Sequence, residues 1–493
     1  YSIPDSMGIL MTFKYDNVGL MDFQRVDELH DIGYNRTISM MDSIKSRIHR
    51  RVNLDNIRLR RMVYRSNYPE LRFKNIIIDG ANTQQQAYIK KEFHKSDNKE
   101  FSYEDLKQGY FRLLSDNMIS EIIPHAIYNP EDDTYDLHLK VKLENNFAVR
   151  LGGNISTSNS NQIYLGLSYQ DLNYYAKEFV FDGQLGKVYN NAQFMAKIDF
   201  STAIPTSYRF IASISTFDYF KKDKLFSRND KPAFNQKDER FLKLQVGLPF
   251  LSSKRAEFGI GIARIEDKYF QKSVIDFGND KFDKSRYDLF GGSISFNGST
   301  LNSRQYPTRG YREALIAQIF IGRERFYPGE SATGNNNKEH HSWLQLSYMK
   351  EKYHNMSEHW VLGWYLKALY ASKNFSENYT ATMMQAGEFS PTQHSKLTYN
   401  EAFRANQFVG AGIRPIYRLS QMFHLRGEFY GFMPIYPIER NSLNKAYYGK
   451  AFSKFEYLGE ISVVCQLPFG DISAYVNHYS SPKREWNVGL SIG

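Results

Sequence analysis

The chain has 493 residues and a net charge of +10, and 15% of it is aromatic, with 36 Tyr and 36 Phe against 4 Trp. A mean hydropathy of −0.54, with no apolar run of the roughly 18 residues that a spanning helix needs, excludes a helical membrane protein. The even spread of aromatic and β-branched residues excludes disorder, and the length predicts two or three structural units. A transmembrane β-barrel stays open, because every second strand residue faces the lumen and keeps mean hydropathy low. The single cysteine, Cys465, excludes an intrachain disulfide and cysteine-rich metal sites. The positive charge is diluted along the chain, so no nucleic-acid partner is expected. The chain opens at Tyr1 with neither Met nor a signal-peptide pattern. It reads as a processed or shortened form whose targeting segment lies outside it.

Residues 1–65 read as helical. Asp22 is placed to cap a helix through Phe23, Val26 and Leu29, and Gly33 to end it. Tyr34, Ile38, Met41, Ile44 and Ile48 recur at three- and four-residue steps and predict a second helix. The basic cluster Arg58, Arg60, Arg61 and Arg65 leads to Pro69. This stretch is too short to bury a core and reads as the end of a larger domain.

Residues 66–145 change character. The apolar run from Phe73 to Ile78 predicts a strand, closed by the turn Asp79-Gly80. A helix carries Tyr88, Ile89 and Phe93; Ser102 with Asp105 forms a capping-box pattern before a second helix bearing Leu106, Tyr110, Leu113 and Leu114. A strand from Ile119 to Tyr128, a turn over 129–133 and an alternating strand follow, the last with Tyr135, Leu137, Leu139, Val141 and Leu143 on one face. The order β-α-α-β-β resembles a POTRA domain.

From residue 146 to 493 no helix is predicted. Sixteen strands are expected near 147–158, 161–172, 177–189, 191–202, 208–220, 238–250, 254–270, 284–300, 312–327, 340–356, 359–375, 406–418, 422–433, 454–469, 471–480 and 484–493. Their period is two: Leu242, Leu244, Val246, Leu248 and Phe250 alternate with Phe241, Lys243, Gln245 and Gly247. Alternation alone would also suit a soluble sandwich, so gap lengths decide. Odd-numbered gaps include the long segments 221–237, 271–283, 328–339, 376–405 and 434–453. Even-numbered gaps are short, with 301–311 longer than its class. Short turns at one end and long loops at the other predict an outer-membrane barrel.

A POTRA-like module feeding a sixteen-strand barrel resembles the surface-antigen superfamily of outer-membrane insertases and secretion translocators. The fold expected is therefore mainly β: a 16-stranded transmembrane antiparallel β-barrel preceded by one α+β POTRA domain and a short helical remnant. In that family the sixth extracellular loop folds into the barrel and carries an Arg-Gly-aromatic motif. Here that loop holds Ala402-Phe403-Arg404-Ala405-Asn406-Gln407-Phe408, so the resemblance makes Arg404 the inward-pointing arginine, with Ala405 in the glycine's place. Tyr306-Pro307-Thr308-Arg309-Gly310 looks like a second family feature before a mid-barrel strand. Gly19-Leu20-Met21-Asp22-Phe23, followed by Val26, Asp27 and Gly33-Tyr34, resembles the last helices of a bacterial patatin-like domain.

Patatin, POTRA, barrel is the order in patatin-like outer-membrane proteins of type V secretion. The resemblance implies domains at 1–65, 66–145 and 146–493. It implies an outer-membrane location with the POTRA and N-terminal part periplasmic. The implied role is to anchor or export a lipid acyl hydrolase, a phospholipase using an upstream Ser and Asp; an assembly or translocation factor acting on other proteins is the alternative. A passive porin fits the POTRA-like module poorly. The implied partners are outer-membrane lipids and lipopolysaccharide, the outer-membrane assembly machinery with periplasmic chaperones, and a larger outer-membrane complex.

Several local motifs carry no chemistry. Gly489-Leu490-Ser491-Ile492-Gly493 matches a nucleophile elbow in letters, yet it lacks the following helix that presents Ser Oγ. Asp79-Gly80-Ala81 matches the patatin Asp signature but lies in an ordinary turn, and no catalytic residue is assigned within the chain. His340, His341, His354 and His359 lack ligand spacing with Asp or Glu and read as solvated, so neither metal nor cofactor is expected. Arg426 and Glu428 share a face with His424 and Tyr430, expected to be luminal, where the two can pair.

Overall fold

A computed structural model of the chain describes residues 8–13, 15, 18, 26–48, 53–66, 70–93, 100–157, 161–200, 204–219, 235–251, 254–271, 281–330, 332, 335–396, 398–481 and 486–493. The patatin-like run at 19–23, the cap at Asp22 and Pro69 lie outside the described residues. By their internal contacts the residues fall into two units, 1–71 with 130–134, and 72–129 with 135–493.

The first unit carries three helices, α1 (Val26–Ser39), α2 (Met41–Arg47) and α3 (Leu54–Ser66), and none of their residues is buried. Gly33 does not end α1. Its carbonyl accepts a bond from Thr37 Oγ1 at 2.8 Å, inside a continuing helix; a glycine stops a helix only where the backbone turns left-handed after it. The break falls at Met40 instead. The arginine cluster sits on α3, a helix rather than a lead-in.

The second unit opens with β1 (Arg72–Asp79), α4 (Thr83–Phe93), β2 (Phe101–Ser102), α5 (Tyr103–Leu114), β3 (Ile119–Asn129) and β4 (Thr134–Leu143). Its sheet order is β2-β1-β4-β3, with β1 parallel to β4. Strand alternation drives one face inward: Ile76, Ile78, Leu137, Leu139 and Val141 pack with Ile89, Phe93 and Leu113 of the helices. α5 starts because Ser102 accepts from Asp105 N while the Asp105 carboxylate accepts from Ser102 N, so two helix-end donors are satisfied. Burial pushes the Asp116 carboxyl up and raises the Tyr88 phenol hydrogen-bonded to it at 2.8 Å. Leu172 and Ala176, which flank the barrel turn 173–175, belong to the same apolar cluster.

The barrel wall comprises β5 (Phe147–Ser156), β6 (Gln162–Leu172), β7 (Ala176–Gly186), β8 (Tyr189–Phe200), β9 (Thr206–Tyr219), β10 (Asn235–Phe250), β11 (Lys254–Tyr269), β12 (Asp283–Ser299), β13 (Gly310–Tyr327), β14 (Asn337–Asn355) and β15 (Trp360–Ala371). After the two-residue β16 (Gly387–Glu388) and β17 (Arg404–Ala405) come β18 (Gln407–Arg418) and β19 (Phe423–Pro434). The short β20 (Ile438–Arg440) and β21 (Ala446–Tyr448) precede β22 (Glu456–Leu467), β23 (Gly470–Tyr479) and β24 (Trp486–Ile492). Sixteen of these close into one antiparallel barrel, β24 returning to β5.

All sixteen expected strands are present; the widest disagreement is at β15, which stops at Ala371 where 375 was expected. Leu244, Ile260, Ile262, Ile319 and Ile321 point outward and are exposed. Such a belt needs lipid against it, and the strands that carry it, β10 to β14, pair along their length. This is the architecture of an outer-membrane-type transmembrane β-barrel. Strands β10 to β14 run 16 to 19 residues, longer than the roughly 9–11 that span a bilayer, so they project beyond it. The turns 173–175, 356–359, 419–422 and 468–469 lie at one barrel end; the long loops, among them 372–406 and 435–455, lie at the other.

Candidate functional site

Segments enter the lumen from both ends. From the long-loop end comes the segment 372–406 between β15 and β18, which contains α6 (Tyr379–Gln385) and the β16–β17 pair. Asn378 caps α6 by accepting from Ala381 N, and its amide donates to Tyr269 of β11 at 2.7 Å. Gln385 donates to Asp267 of the same strand at 2.6 Å. Thr380 to Met384 are buried by this docking. The hairpin β20–β21 closes over it, with Ile438 against Met383 and Ala386.

Arg404, the arginine singled out by its resemblance to a family motif, is buried and holds the loop to itself. Its guanidinium donates to Glu388 at 2.6 Å and to the carbonyls of Met384 and Ala386, both at 3.3 Å. A cation placed on the last carbonyls of α6 satisfies groups the helix leaves unpaired. Tyr399 lies under the guanidinium at 4.6 Å, and Tyr219 of β9 is the barrel-wall ring near it at 5.8 Å. Ala405 is fully buried and pairs with Gly387.

Deeper in, the loop inserts Phe389 into an aromatic cluster with Phe403, Phe408, Tyr430 and Phe432. Gly410 makes this possible, since a Cβ there would lie 2.2 Å from the Phe389 ring. Below it, Pro391 O accepts from Arg414 at 3.1 Å, and the His394 ring stacks on Tyr475 while its Nδ1 lies 2.8 Å from Glu460.

From the opposite end the long turn 300–309 folds upward. Asn302 Oδ1 accepts from the amides of Thr308 and Arg309 at 3.0 and 2.9 Å, which shapes the turn. Tyr306 donates to Ser473 at 2.8 Å, and its own carbonyl accepts from Gln466 at 3.2 Å. The two inserts touch: Gln393 of the loop donates to Gln305 O at 2.6 Å. The unusual length of this turn in the sequence is thus the length of a plug.

Both inserts rest on one buried charge cluster. Arg426 and Glu428 form an ion pair, and Arg426 also donates to Pro307 O at 2.9 Å. Arg414 pairs with Glu351 and reaches Glu428 at 3.5 Å. Tyr353 accepts from Arg414 at 2.5 Å and from Arg426 at 3.0 Å, while Tyr430 donates to Glu428. Two buried guanidiniums meet two buried carboxylates, and these four charges balance, with the half-exposed Arg312 at the margin 4.0 Å from Glu351. One arginine holds the upper insert through Pro391 and the other holds the lower through Pro307.

The sequence reading singled out Arg426, Glu428 and Arg404, which the structure divides between the cluster and the loop. It passed over Arg414, Glu351 and the His394–Glu460 pair. A usable signal existed for Arg414 and Glu351: each is a charge at the inward parity of its strand, two residues before a buried apolar or aromatic residue, Ile416 and Tyr353. One reading is corrected outright. His341 is 3% exposed and bonds Glu324 at 2.9 Å, so it is not solvated; strand pairing, not sequence spacing, supplies its carboxylate. His340, His354 and His359 are exposed. Ser491 lies within β24 and bonds Asn154 at 2.7 Å, and Asp79 ends β1, in separate parts of the fold.

No protein-family model matches the chain, and no curated protein matches it. Among solved structures, BamA from Haemophilus ducreyi lacking POTRA domains 1–3 is similar, with a TM-score of 0.58 and 13% identity over 86% of this chain and 84% of that one. CdiB from Acinetobacter baumannii gives a TM-score of 0.49 at 8% identity, over 86% and 74% of the two chains. CdiB from Escherichia coli gives 0.48 at 10%, over 86% and 76%. The likeness to BamA is one of fold.

Removing Arg426 leaves two buried carboxylates, Glu351 and Glu428, to share the one charge of Arg414, and breaking a buried ion pair costs about 3–5 kcal/mol. Arg426→Met is therefore expected to lower the urea midpoint of the folded barrel in detergent by a readily measured margin. Arg426→Met with Glu428→Leu is expected to recover part of that loss. An unchanged midpoint in the single variant would show that the cluster does not hold the inserts.

Proposed function

We propose that the chain works in outer-membrane assembly or translocation of polypeptides, as a member of the surface-antigen superfamily. In this reading 146–493 is the membrane barrel, 66–145 is a POTRA-like domain and 1–65 is the end of a further domain. The short-turn end, where the α+β sheet packs on turn 173–175, then faces the periplasm.

The observation that carries the reading is a barrel similar in fold to BamA whose lumen is entered by two inserts. β24 meets β5 at two register positions, Ser491 with Ser156 and Ile492 with Ile155. A passive pore needs an open lumen, and this one is occupied by two inserts. The junction of β24 with β5 is where the first and last strands of the barrel meet, and a parted edge there is a template for an incoming strand. An edge of that kind in lipid suits a protein that handles unfolded β-rich clients.

A finer reading, in which the barrel anchors or exports a patatin-like lipid hydrolase, draws its support from the sequence resemblance around Gly19–Phe23 and Gly33-Tyr34. Lipid hydrolysis by the full-length protein, abolished by alanine at an upstream Ser, is its test; an inert full-length protein would leave the assembly role alone.

For the assembly role, Ser156→Cys with Ser491→Cys joins direct register partners, in a Cys465→Ser background. Oxidation is expected to block the accumulation of folded client barrels in cells that rely on this chain, and reduction to restore it. Equal function of the oxidised and reduced forms would sink the proposal.

A further inference from the structure

Glu324 of β13 and Glu339 of β14 stand opposite each other in register, and His341 follows two residues along β14 on the same face. His341 Nε2 lies 2.9 Å from Glu324 Oε2 and 4.0 Å from Glu339 Oε2. One ligand atom from each of the three sits within 4.8 Å of the others. Zinc bonded at about 2.0–2.2 Å in tetrahedral geometry spaces its ligand atoms about 3.3 Å apart. The Glu324–His341 separation is already close to that value. The Glu339 side chain, 45% exposed, is the one with room to swing inward.

The surroundings hold Glu324 as a metal ligand is held. Glu324 Oε1, the oxygen turned away from His341, accepts from Tyr287 at 3.1 Å and from Glu377 N at 3.3 Å. Such outer contacts fix a ligand's orientation. Glu324 and His341 are 1% and 3% exposed, while Glu339 opens the group to solvent at the long-loop end. A buried hydrogen bond between His341 and Glu324 would need no second carboxylate; a divalent cation does. Lys373 borders the group, its ammonium 5.0 Å over the Tyr287 ring and 4.7 Å over that of Trp343. Two carboxylates still supply the charge a divalent ion requires.

We propose that Glu324, Glu339 and His341 form a binding site for a divalent transition-metal ion of the zinc type at the long-loop end of the barrel. One imidazole and two carboxylates suit zinc or its neighbours better than calcium, which takes six to eight oxygens. The ion would tie β13 to β14 and, through Glu377 N and through Tyr287 to Ser376 at 2.8 Å, to the root of the inserted loop. Metal occupancy would then bear on how firmly that loop is seated.

The test uses the whole chain in detergent, stripped with a chelator and titrated with zinc chloride alone by calorimetry. One zinc per chain is expected, with a matching rise in the unfolding temperature. His341→Asn and Glu324→Gln are each expected to weaken binding tenfold or more, while His340→Asn, at the exposed neighbouring position, leaves it unchanged. Glu339→Gln carries the test if the buried variants fail to fold, since that side chain is half in solvent and its loss spares the barrel. Absence of stoichiometric binding to folded wild-type protein, or binding unaltered in the folded His341→Asn or Glu339→Gln protein, would overturn the proposal.

Discussion

Everything inside this barrel leans on the buried exchange between Arg414, Arg426, Glu351 and Glu428. A charge can sit in such a place only with its partner and with the remaining donors and acceptors satisfied. Tyr353, Tyr430 and two proline carbonyls complete that requirement. Because the carbonyls belong to Pro391 and Pro307, the same contacts complete the cluster and hold both inserts in the lumen. Moving either insert away exposes an arginine with unmet donors, which makes the plugged state self-consistent rather than incidental.

Closure imposes a second constraint from outside. Lipid offers no hydrogen bonds, so every ladder must be complete where the wall meets hydrocarbon. Fifteen of the junctions meet this with long registers, and β24 returns to β5 to close the wall, pairing among the described residues at Ser491–Ser156 and Ile492–Ile155. The two inserts occupy the interior that this closed wall surrounds.

The wall was legible in the sequence because its signals are local. A period of two, turn chemistry and the sorting of long from short gaps located all sixteen strands, and the Ser102–Asp105 pattern located the start of α5. The interior was legible only in part. Arg426 and Glu428 are two residues apart on one strand, so parity alone brings them together. Arg414 finds Glu351 across 63 residues, and His341 finds Glu324 through a hairpin register, which spacing along the chain does not encode. Gly33 misled because glycine is a helix terminator only in a left-handed backbone. The long turn at 301–311 stood out by length, but its role as a plug depends on Ser473 and Gln466, more than 150 residues away.

The claim that the lumen is closed by two inserts held on one charge cluster is tested most directly by single-channel recording of the whole chain in planar bilayers. The account predicts a quiet baseline with brief, irregular openings, and large steady currents once residues 389–396 and 303–308 are replaced by short glycine-serine links. Large steady openings from the intact protein would contradict it.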